Sequence, residues 1–267
     1  MTVSLVITTY NWESALTAVL QSAETQTHLP DEIIIADDGS GPATQRVVEH
    51  FQSQTAIPVL HSWQEDVGFR LSMSRNRAIA QAKCDYIVMI DGDIVMPPRF
   101  IEDHIRAAKK GWFIQGGRVQ VGPKSSEALL EEPKKIHYFS QDIRNRKNTI
   151  SNSILANCFS YKRNNDAATR GCNMSFWKKD VIAVNGFNEA FEGWGREDSE
   201  FVHRMLNKGL NRLYLKFAGA GLHLYHDENS RALLPENEKI FQMTVDNRLQ
   251  WCEQGINQYL SPTTHDD

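Results

Sequence analysis

Tyr86-Ile-Val-Met-Ile-Asp-Gly-Asp93 decides how this chain is read: five residues of strand character run directly into two carboxylates separated by one glycine. A run that is apolar throughout, rather than at alternate positions, predicts a strand buried on both faces, as in a parallel sheet covered by helices. Two more such runs lie upstream. Val3-Ser-Leu-Val-Ile-Thr-Thr9 leads into Tyr10-Asn11, and Glu32-Ile-Ile-Ile-Ala36 leads into Asp37-Asp38-Gly39-Ser40. Leu16, Val19 and Leu20 fall at helical spacing between them. A weaker strand is predicted over Ile57-Pro-Val-Leu-His61, and a helix from about Ser72 to Ala82 precedes the fourth strand. The order βαβαβαβ predicts an α/β fold with a Rossmann-like, mostly parallel central sheet flanked by helices. Ligands of such sheets gather at the carboxyl ends of the strands. Three of the four runs end there in polar or acidic groups, which places the candidate site.

Beyond Asp93, Pro97-Pro98 opens a helix from about Arg99 to Lys109, and Trp112-Phe-Ile-Gln-Gly116 and Arg118-Val-Gln-Val121 read as strands. Residues 123–170 read as irregular. Between Lys134 and Arg163 seven Lys and Arg face one acid, Asp142, a local charge of +6 that leaves about −10 on the rest. Downstream, a short helix opens at Asp180 or Val181 and closes near Asn185-Gly186, and a second spans Glu197 to Asn207. Leu213-Tyr-Leu-Lys-Phe217 and Gly221-Leu-His-Leu-Tyr225 read as strands. A last helix runs from Glu236 to about Cys252, followed by a polar tail expected to be poorly ordered. Without a repeat or a low-complexity linker, 1–267 reads as one domain.

The composition excludes several classes. With 267 residues, 41% hydrophobic and 23% charged, and a net charge of −4, the chain is neither collagen-like, nor disordered, nor a disulfide framework. Four cysteines without a CxxC pair exclude a zinc ribbon and a redox pair, and fit a reduced, cytoplasmic chain. The first residues lack a charged leader, and no run approaches the roughly 20 apolar residues of a spanning helix. The expectation is a soluble protein, at most peripheral at the inner face of the cell membrane through 134–163, with no nucleic-acid partner.

Two carboxylates at i and i+2 after a strand, Asp91 and Asp93 around Gly92, can hold Mg²⁺ or Mn²⁺ and leave positions for water and phosphate. Asp37 and Asp38 offer acceptors to a nucleobase or ribose. Gly193-Trp-Gly-Arg-Glu-Asp-Ser-Glu200 sets Trp194 between two glycines ahead of a helix whose first turn carries Glu197, Asp198 and Glu200, a place for a general base. His223 or His226 could complete a metal site begun by Asp93; at i and i+3 of one strand they would point to opposite faces, so both together are not expected. Arg70, Arg75 and Arg77, with Asn76 among them, suit a diphosphate.

In order, Val6-Ile-Thr-Thr-Tyr-Asn11, Ile35-Ala-Asp-Asp-Gly-Ser40, Gly68-Phe-Arg-Leu-Ser-Met-Ser-Arg-Asn-Arg77, Ile90-Asp-Gly-Asp93, Arg170-Gly-Cys-Asn-Met-Ser175, Gly186-Phe-Asn-Glu189 and Gly193-Trp-Gly-Arg-Glu-Asp198 resemble the family 2 nucleotide-sugar glycosyltransferases of the GT-A fold. The resemblance covers about residues 3–230. It implies sugar transfer, with inversion, from a nucleoside diphosphate sugar, a UDP-sugar first, to a glycan or lipid-linked acceptor in cell-surface polysaccharide or lipopolysaccharide synthesis. It further implies that Thr9, Tyr10 and Asn11 line the nucleotide pocket, with Asp37 or Asp38 at the base and Arg70, Arg75, Asn76, Asp91 and Gly92 along the donor. Asp93 with His223 or His226 would bind Mn²⁺ or Mg²⁺. Asp198 would be the base with Glu197 beside it, and Trp194, Gly195 and Asn173 would meet the acceptor. The Trp-Gly-x-Glu-Asp stretch is similar to that of galactosyltransferases and chondroitin-type polymerases. On this reading 1–122 binds the donor, 123–170 is a basic acceptor- or membrane-facing segment, 171–235 carries the acceptor side and base, and 236–267 is a helix and tail. The competing readings are a sugar-phosphate nucleotidyltransferase, which would need a glycine-rich loop where Thr8-Thr-Tyr-Asn11 stands, and a non-catalytic sugar-binding protein.

Overall fold

The computed structural model describes residues 1–132, 135–166, 169–227 and 230–260; Lys134 of the basic segment and residues 261–267 of the expected tail lie outside the described residues. The first half is β1 (Val3–Thr9), α1 (Glu13–Glu24), β2 (Glu32–Asp37), α2 (Pro42–Gln54), β3 (Val59–Trp63), α3 (Leu71–Gln81) and β4 (Tyr86–Asp91). There follow β5 (Ile94–Val95), α4 (Phe100–Ala107), β6 (Trp112–Gln115), β7 (Arg118–Val121), α5 (Pro123–Glu131), β8 (Ile143–Arg144), α6 (Ser153–Phe159), β9 (Tyr161–Lys162) and β10 (Asn173–Trp177). The last elements are α7 (Lys178–Ile182), α8 (Glu197–Asn207), β11 (Asn211–Tyr214), β12 (Gly221–His223) and α9 (Leu234–Asp246).

The larger sheet has the order β3-β2-β1-β4-β10-β6-β11-β9. Its first four strands are parallel, and β10 enters antiparallel between β4 and β6. The apolar runs fold this way because a strand sends successive side chains to opposite faces and both faces are covered. Leu5 and Ile7 pack with Leu16 and Val19 of α1 and Val48 and Phe51 of α2. Val6 between them joins Ala78 and Ile79 of α3 and Phe201 of α8 on the other face. The parallel register sets Thr9 opposite Asp37 and Thr8 opposite Asp91, so three strands end level and bring their polar ends to one edge. A smaller sheet, β5-β12-β7-β8, pairs His223 with Ile94 and carries that histidine to the residue after Asp93.

Several sequence expectations shift. The stretch expected to be irregular, 123–170, contains two α-helices among its described residues. Pro123 starts α5 at a position where a missing N–H costs nothing, and Asn152 caps α6 by accepting from the Ile154 and Leu155 amides at 3.0 Å each. These loop-like residues are helix starts. The strand expected at 57–61 lies at 59–63, those expected at 213–217 and 221–225 end at Tyr214 and His223, and β10 was not expected. The last helix stops at Asp246 rather than near Cys252, and residues up to 260 are packed, with Ile256 fully buried. Asn185 holds them: its Nδ2 donates to the Cys252 carbonyl at 2.7 Å, and its Oδ1 accepts from Asn257 N at 2.9 Å.

α8 is anchored by a wholly buried ion pair. Arg204 Nε and Nη2 donate to Glu200 Oε1 and Oε2 at 2.7 and 2.8 Å, and the same guanidinium donates to the carbonyls of Val184 and Gly186. Thr244 of α9 donates to Glu200 Oε1 at 2.9 Å. Every polar atom of the pair is used, the condition under which a buried pair is tolerated. Removing one partner strands the other in a dry interior, so Glu200→Ala should lower the unfolding free energy by about 3–5 kcal/mol. Urea denaturation reads this as a lowered midpoint at unchanged slope.

Candidate active site

The end of β4 carries the first half of the site. Asp91 Oδ1 accepts from Thr8 Oγ1 at 3.1 Å and from Arg75 Nη2 at 3.0 Å. Gly92 is required by a close approach, since a Cβ there would stand 2.3 Å from the Thr8 carbonyl oxygen. The tight turn this permits returns Asp93 to the same edge.

Asp93 faces both histidines. His226 Nε2 lies 3.1 Å and His223 Nε2 3.4 Å from Asp93 Oδ2, and one donor atom from each of the three residues falls within 4.8 Å of the others. The expectation of opposite faces fails because β12 ends at His223, so Leu224 to His226 leave strand geometry and the second imidazole turns back beside the first. The carboxylate bond pushes the His226 imidazole up to about 9, whereas burial lowers His223. Asp93 Oδ1 is buried without a hydrogen-bond partner. An orphaned carboxylate oxygen beside two imidazoles fits a divalent cation, and a mixed nitrogen and oxygen set suits Mn²⁺ better than Mg²⁺.

The start of α8 supplies the second half. Arg75, 1% exposed, reaches from Asp91 to Glu197 Oε1 at 3.5 Å. Burial, with the neighbouring Asp198 charge, pushes the Glu197 carboxyl up to about 7 against the pull of Arg75. Asp198 is fixed by backbone: its Oδ2 accepts from Gly171 N at 2.8 Å and its Oδ1 from Ser199 N at 2.6 Å. Gly171 is bare where it passes Arg75, for a Cβ would lie 2.9 Å from Nη2. Gly195 and the non-glycine Arg196 ahead of α8 both have positive φ, 110° and 75°, a turn that exposes Trp194 with the Arg231 guanidinium 5.2 Å from its ring centre.

The other expected residues divide. Tyr10 is half exposed, with its hydroxyl donating to Asp66 Oδ2 at 3.0 Å, and Asn11, at φ 45°, ties β1 to the 40–41 turn through Ser40 and Gly41. The Thr9 carbonyl accepts from Asp38 N at 3.1 Å. Asp37 meets His61 at 2.7 Å and accepts from Ser40 N at 2.8 Å, and Asp38 accepts from Gln64 Nε2 at 2.6 Å and Arg70 N at 2.9 Å, so each acid is held by internal hydrogen bonds. Arg70 pairs with Glu192 at 2.8 Å. Asn76 points away from the donor edge: it exchanges bonds with the Phe187 backbone and donates to Glu189, each at 2.7 Å. Asn173 Nδ2 donates to the Gly117 and Gly219 carbonyls at 2.8 Å, while its Oδ1 is buried without a hydrogen-bond partner. Asn76 is a framework group, and a polar residue in a motif looks the same in sequence whichever way it points.

Four contributors were not among the expected residues. Thr8, adjacent to the expected Thr9, is the residue bonded to Asp91. Gln64 and Asp66 meet Asp38 and Tyr10 only because the loop after β3 folds over β2. Arg118 donates to Cys172 Sγ at 3.6 Å, a contact between the start of β7 and the segment ahead of β10. A strand-end rule applied to β3 would have flagged Gln64, and nothing local flags Arg118.

The model of glycosyl transferase family 2 matches residues 4–167, more than half of the chain. The chain belongs to glycosyl transferase family 2. Residues 153–227 of this family 2 chain also match the N-terminal domain of galactosyltransferase. Chondroitin synthase of Escherichia coli is 27% identical over 225 residues, covering 77% of this chain and 32% of the synthase, so the chain spans about a third of that relative's length. Residues 1–349 of S. aureus TarS in complex with UDP match with a TM-score of 0.62 at 15% identity, covering 97% of this chain and 68% of that one. A mannosyltransferase from Pyrobaculum calidifontis in complex with GDP-Man and Mn²⁺ matches with a TM-score of 0.55 at 14% identity, covering 85% and 57%. The fold of the family 2 chain is GT-A, as the motifs implied.

The Asp38 environment gives a pH signature. Burial, outweighing the Gln64 and Arg70 hydrogen bonds, pushes its carboxyl from an ordinary 3.8 up to about 6. The folded value lies above the unfolded one, so the stability this group contributes is full below 3.8 and is lost as pH rises through about 6. Chemical denaturation across that window should show the wild type losing stability relative to Asp38→Asn as pH rises.

Proposed function

We propose that the chain transfers a sugar from a nucleoside diphosphate sugar, a UDP-sugar first, to a hydroxyl of a glycan or lipid-linked acceptor, with inversion at the anomeric carbon. The observation that carries this reading is the buried Arg75 guanidinium. It joins Asp91, two residues from the metal-fitting Asp93, to Glu197, neighbour of Asp198, so donor-side and acceptor-side acids share one site. UDP in the TarS structure, and GDP-Man and Mn²⁺ in the mannosyltransferase structure, support the donor and cation classes proposed for this chain. The chondroitin synthase relative supports a role in cell-surface polysaccharide or lipopolysaccharide synthesis. Peripheral contact with the inner face of the membrane belongs to the same proposal; Phe139, Ile154 and Phe159, exposed among the basic residues of 134–163, support it.

In this mechanism Tyr10 and Asn11 hold the nucleotide with Asp37 or Asp38 at its base, and Asp91 with Thr8 and Arg75 orients the donor. Asp93, His223 and His226 would hold the divalent cation, which when bound supplies Lewis-acid neutralisation of the diphosphate charge. Asp198, oriented by the Gly171 and Ser199 amides, accepts the proton of the acceptor hydroxyl. That oxygen bonds to the anomeric carbon as the bond to the diphosphate oxygen breaks, and the nucleoside diphosphate leaves on the opposite face. A single displacement of this kind inverts the centre. Glu197 accepts from the far end of the Arg75 guanidinium and so fixes the start of α8 against the donor edge.

Thermal-shift measurements with UDP-, GDP- and dTDP-sugars should show stabilisation that requires Mn²⁺ and is lost in Asp93→Asn. If no nucleotide sugar stabilises the wild type with Mn²⁺, the donor reading is wrong. Asp198→Asn should lower kcat by about 10²–10⁴-fold while binding of UDP with Mn²⁺ persists; near-wild-type turnover at saturating donor would remove Asp198 from the role of base.

A further inference from the structure

Beside the acid pair lies a cleft of about 750 Å³, within the range of roughly 300–1,000 Å³ that small ligands occupy. Its walls carry Arg118, Arg144, Arg146, Lys147, Arg170 and Lys216, and no acidic residue lines it. Among the described residues none of these six cations forms an ion pair. Six cations around one concavity repel one another, and the arrangement is compensated when an anion enters.

The walls are built, not merely solvated. Arg146 Nη1 donates to the Tyr138 and Ser140 carbonyls at 2.9 and 2.6 Å, which closes the 138–146 loop on itself. Asn148 Nδ2 donates to the Arg118 carbonyl at 2.8 Å and fixes that loop to β7. Arg118 Nε is buried and has no hydrogen-bond partner. Tyr138 and Tyr214 add ring faces of the kind that pack against sugars, and Gly116 and Gly117 line the same cleft without side chains.

The cleft also connects to the chemistry. Arg170 precedes Gly171, whose amide holds Asp198, and Arg118 donates to Cys172, whose carbonyl accepts from Asp91 N at 3.2 Å. One three-residue segment thus links two cleft arginines to the proposed base and to the donor-side carboxylate.

We infer that this cleft is the acceptor subsite and that the acceptor is an anionic glycan, with a carboxylate or phosphate group close to the accepting hydroxyl. The inference rests on the glycosyltransferase reading and deepens it. Guanidinium pairs read planar carboxylates and phosphates with two parallel hydrogen bonds, whereas the tyrosine rings take the sugar faces.

Calorimetric titration of the full chain tests it with three oligosaccharides: tetragalacturonate, its neutral methyl ester, and a phosphodiester-linked oligosaccharide. At least one anionic probe should bind about tenfold or more tighter than the ester, with the advantage shrinking as salt rises. The stronger of the two names the anionic group. Arg144→Gln/Lys147→Gln, two exposed cleft residues, should erase that advantage at unchanged melting temperature, and Arg170→Gln on the opposite wall should reduce it independently. Equal binding of acid and ester overturns the inference, as does an advantage that survives both variants. Phosphatidylglycerol vesicles binding in a variant-sensitive way while the anionic oligosaccharides do not would overturn it in favour of a lipid surface. UDP titrated with Mn²⁺ on the same wild-type samples separates the two readings. UDP binding without an anion preference sinks the inference alone, whereas an anion preference without UDP binding sinks the donor reading.

Discussion

A guanidinium taken out of water must be given counter-charges, and Arg75 finds them on two distant parts of the chain. Asp91 ends β4, while Glu197, 122 residues from Arg75, opens α8. The Phe187 ring lies 5.1 Å below the guanidinium carbon, and the bare Gly171 passes beside it. Because an unpaired buried cation is far costlier than a paired one, α8 cannot leave the sheet edge without exposing or stranding Arg75. The sheet and the acid-bearing helix are held in one geometry by that demand.

The neighbouring segment 170–172 works from the same position. It donates to Asp198, accepts from Asp91 and touches Arg118, so its backbone is the common wall of the β4 edge, the start of α8 and the cationic cleft. Charge is sorted accordingly. Acids and imidazoles face the side where a cation and a diphosphate would sit, and arginines and lysines face the other. The mild net charge of the chain is an average over these two surfaces.

The half of the fold most legible in sequence is the half where local pattern and tertiary environment agree. Runs such as Glu32 to Ala36 need burial on both faces, and only a covered parallel strand provides it. The seven ordered motifs carried the family, although the glycines at 92 and 171 in them answer to tertiary contacts with the Thr8 carbonyl and the Arg75 guanidinium. The reading was weakest where polar residues serve the framework. Asn76, Asn173 and Asn185 satisfy buried backbone groups, Pro123 and Asn152 begin helices inside a stretch that reads as loop, and β10 has a strand pattern only once β4 and β6 stand on either side of it.

The sequence by itself determined the alternation of buried strands and helices in the first half, the polar ends of those strands, and the positions of Asp93 and the Glu197-Asp198 pair, because each is read from residues close in the chain. Tertiary structure alone decided the rest. It brought His226 back beside His223 by ending β12 early, tied Asp37 to His61 and Asp38 to the 64–70 loop, and buried Arg75 as a bridge between Asp91 and Glu197. It also gathered six basic residues, from 118 to 216, around one cleft. Those outcomes depend on which groups the fold removes from water, and solvation of a side chain is set by the packed chain rather than by its neighbours in sequence.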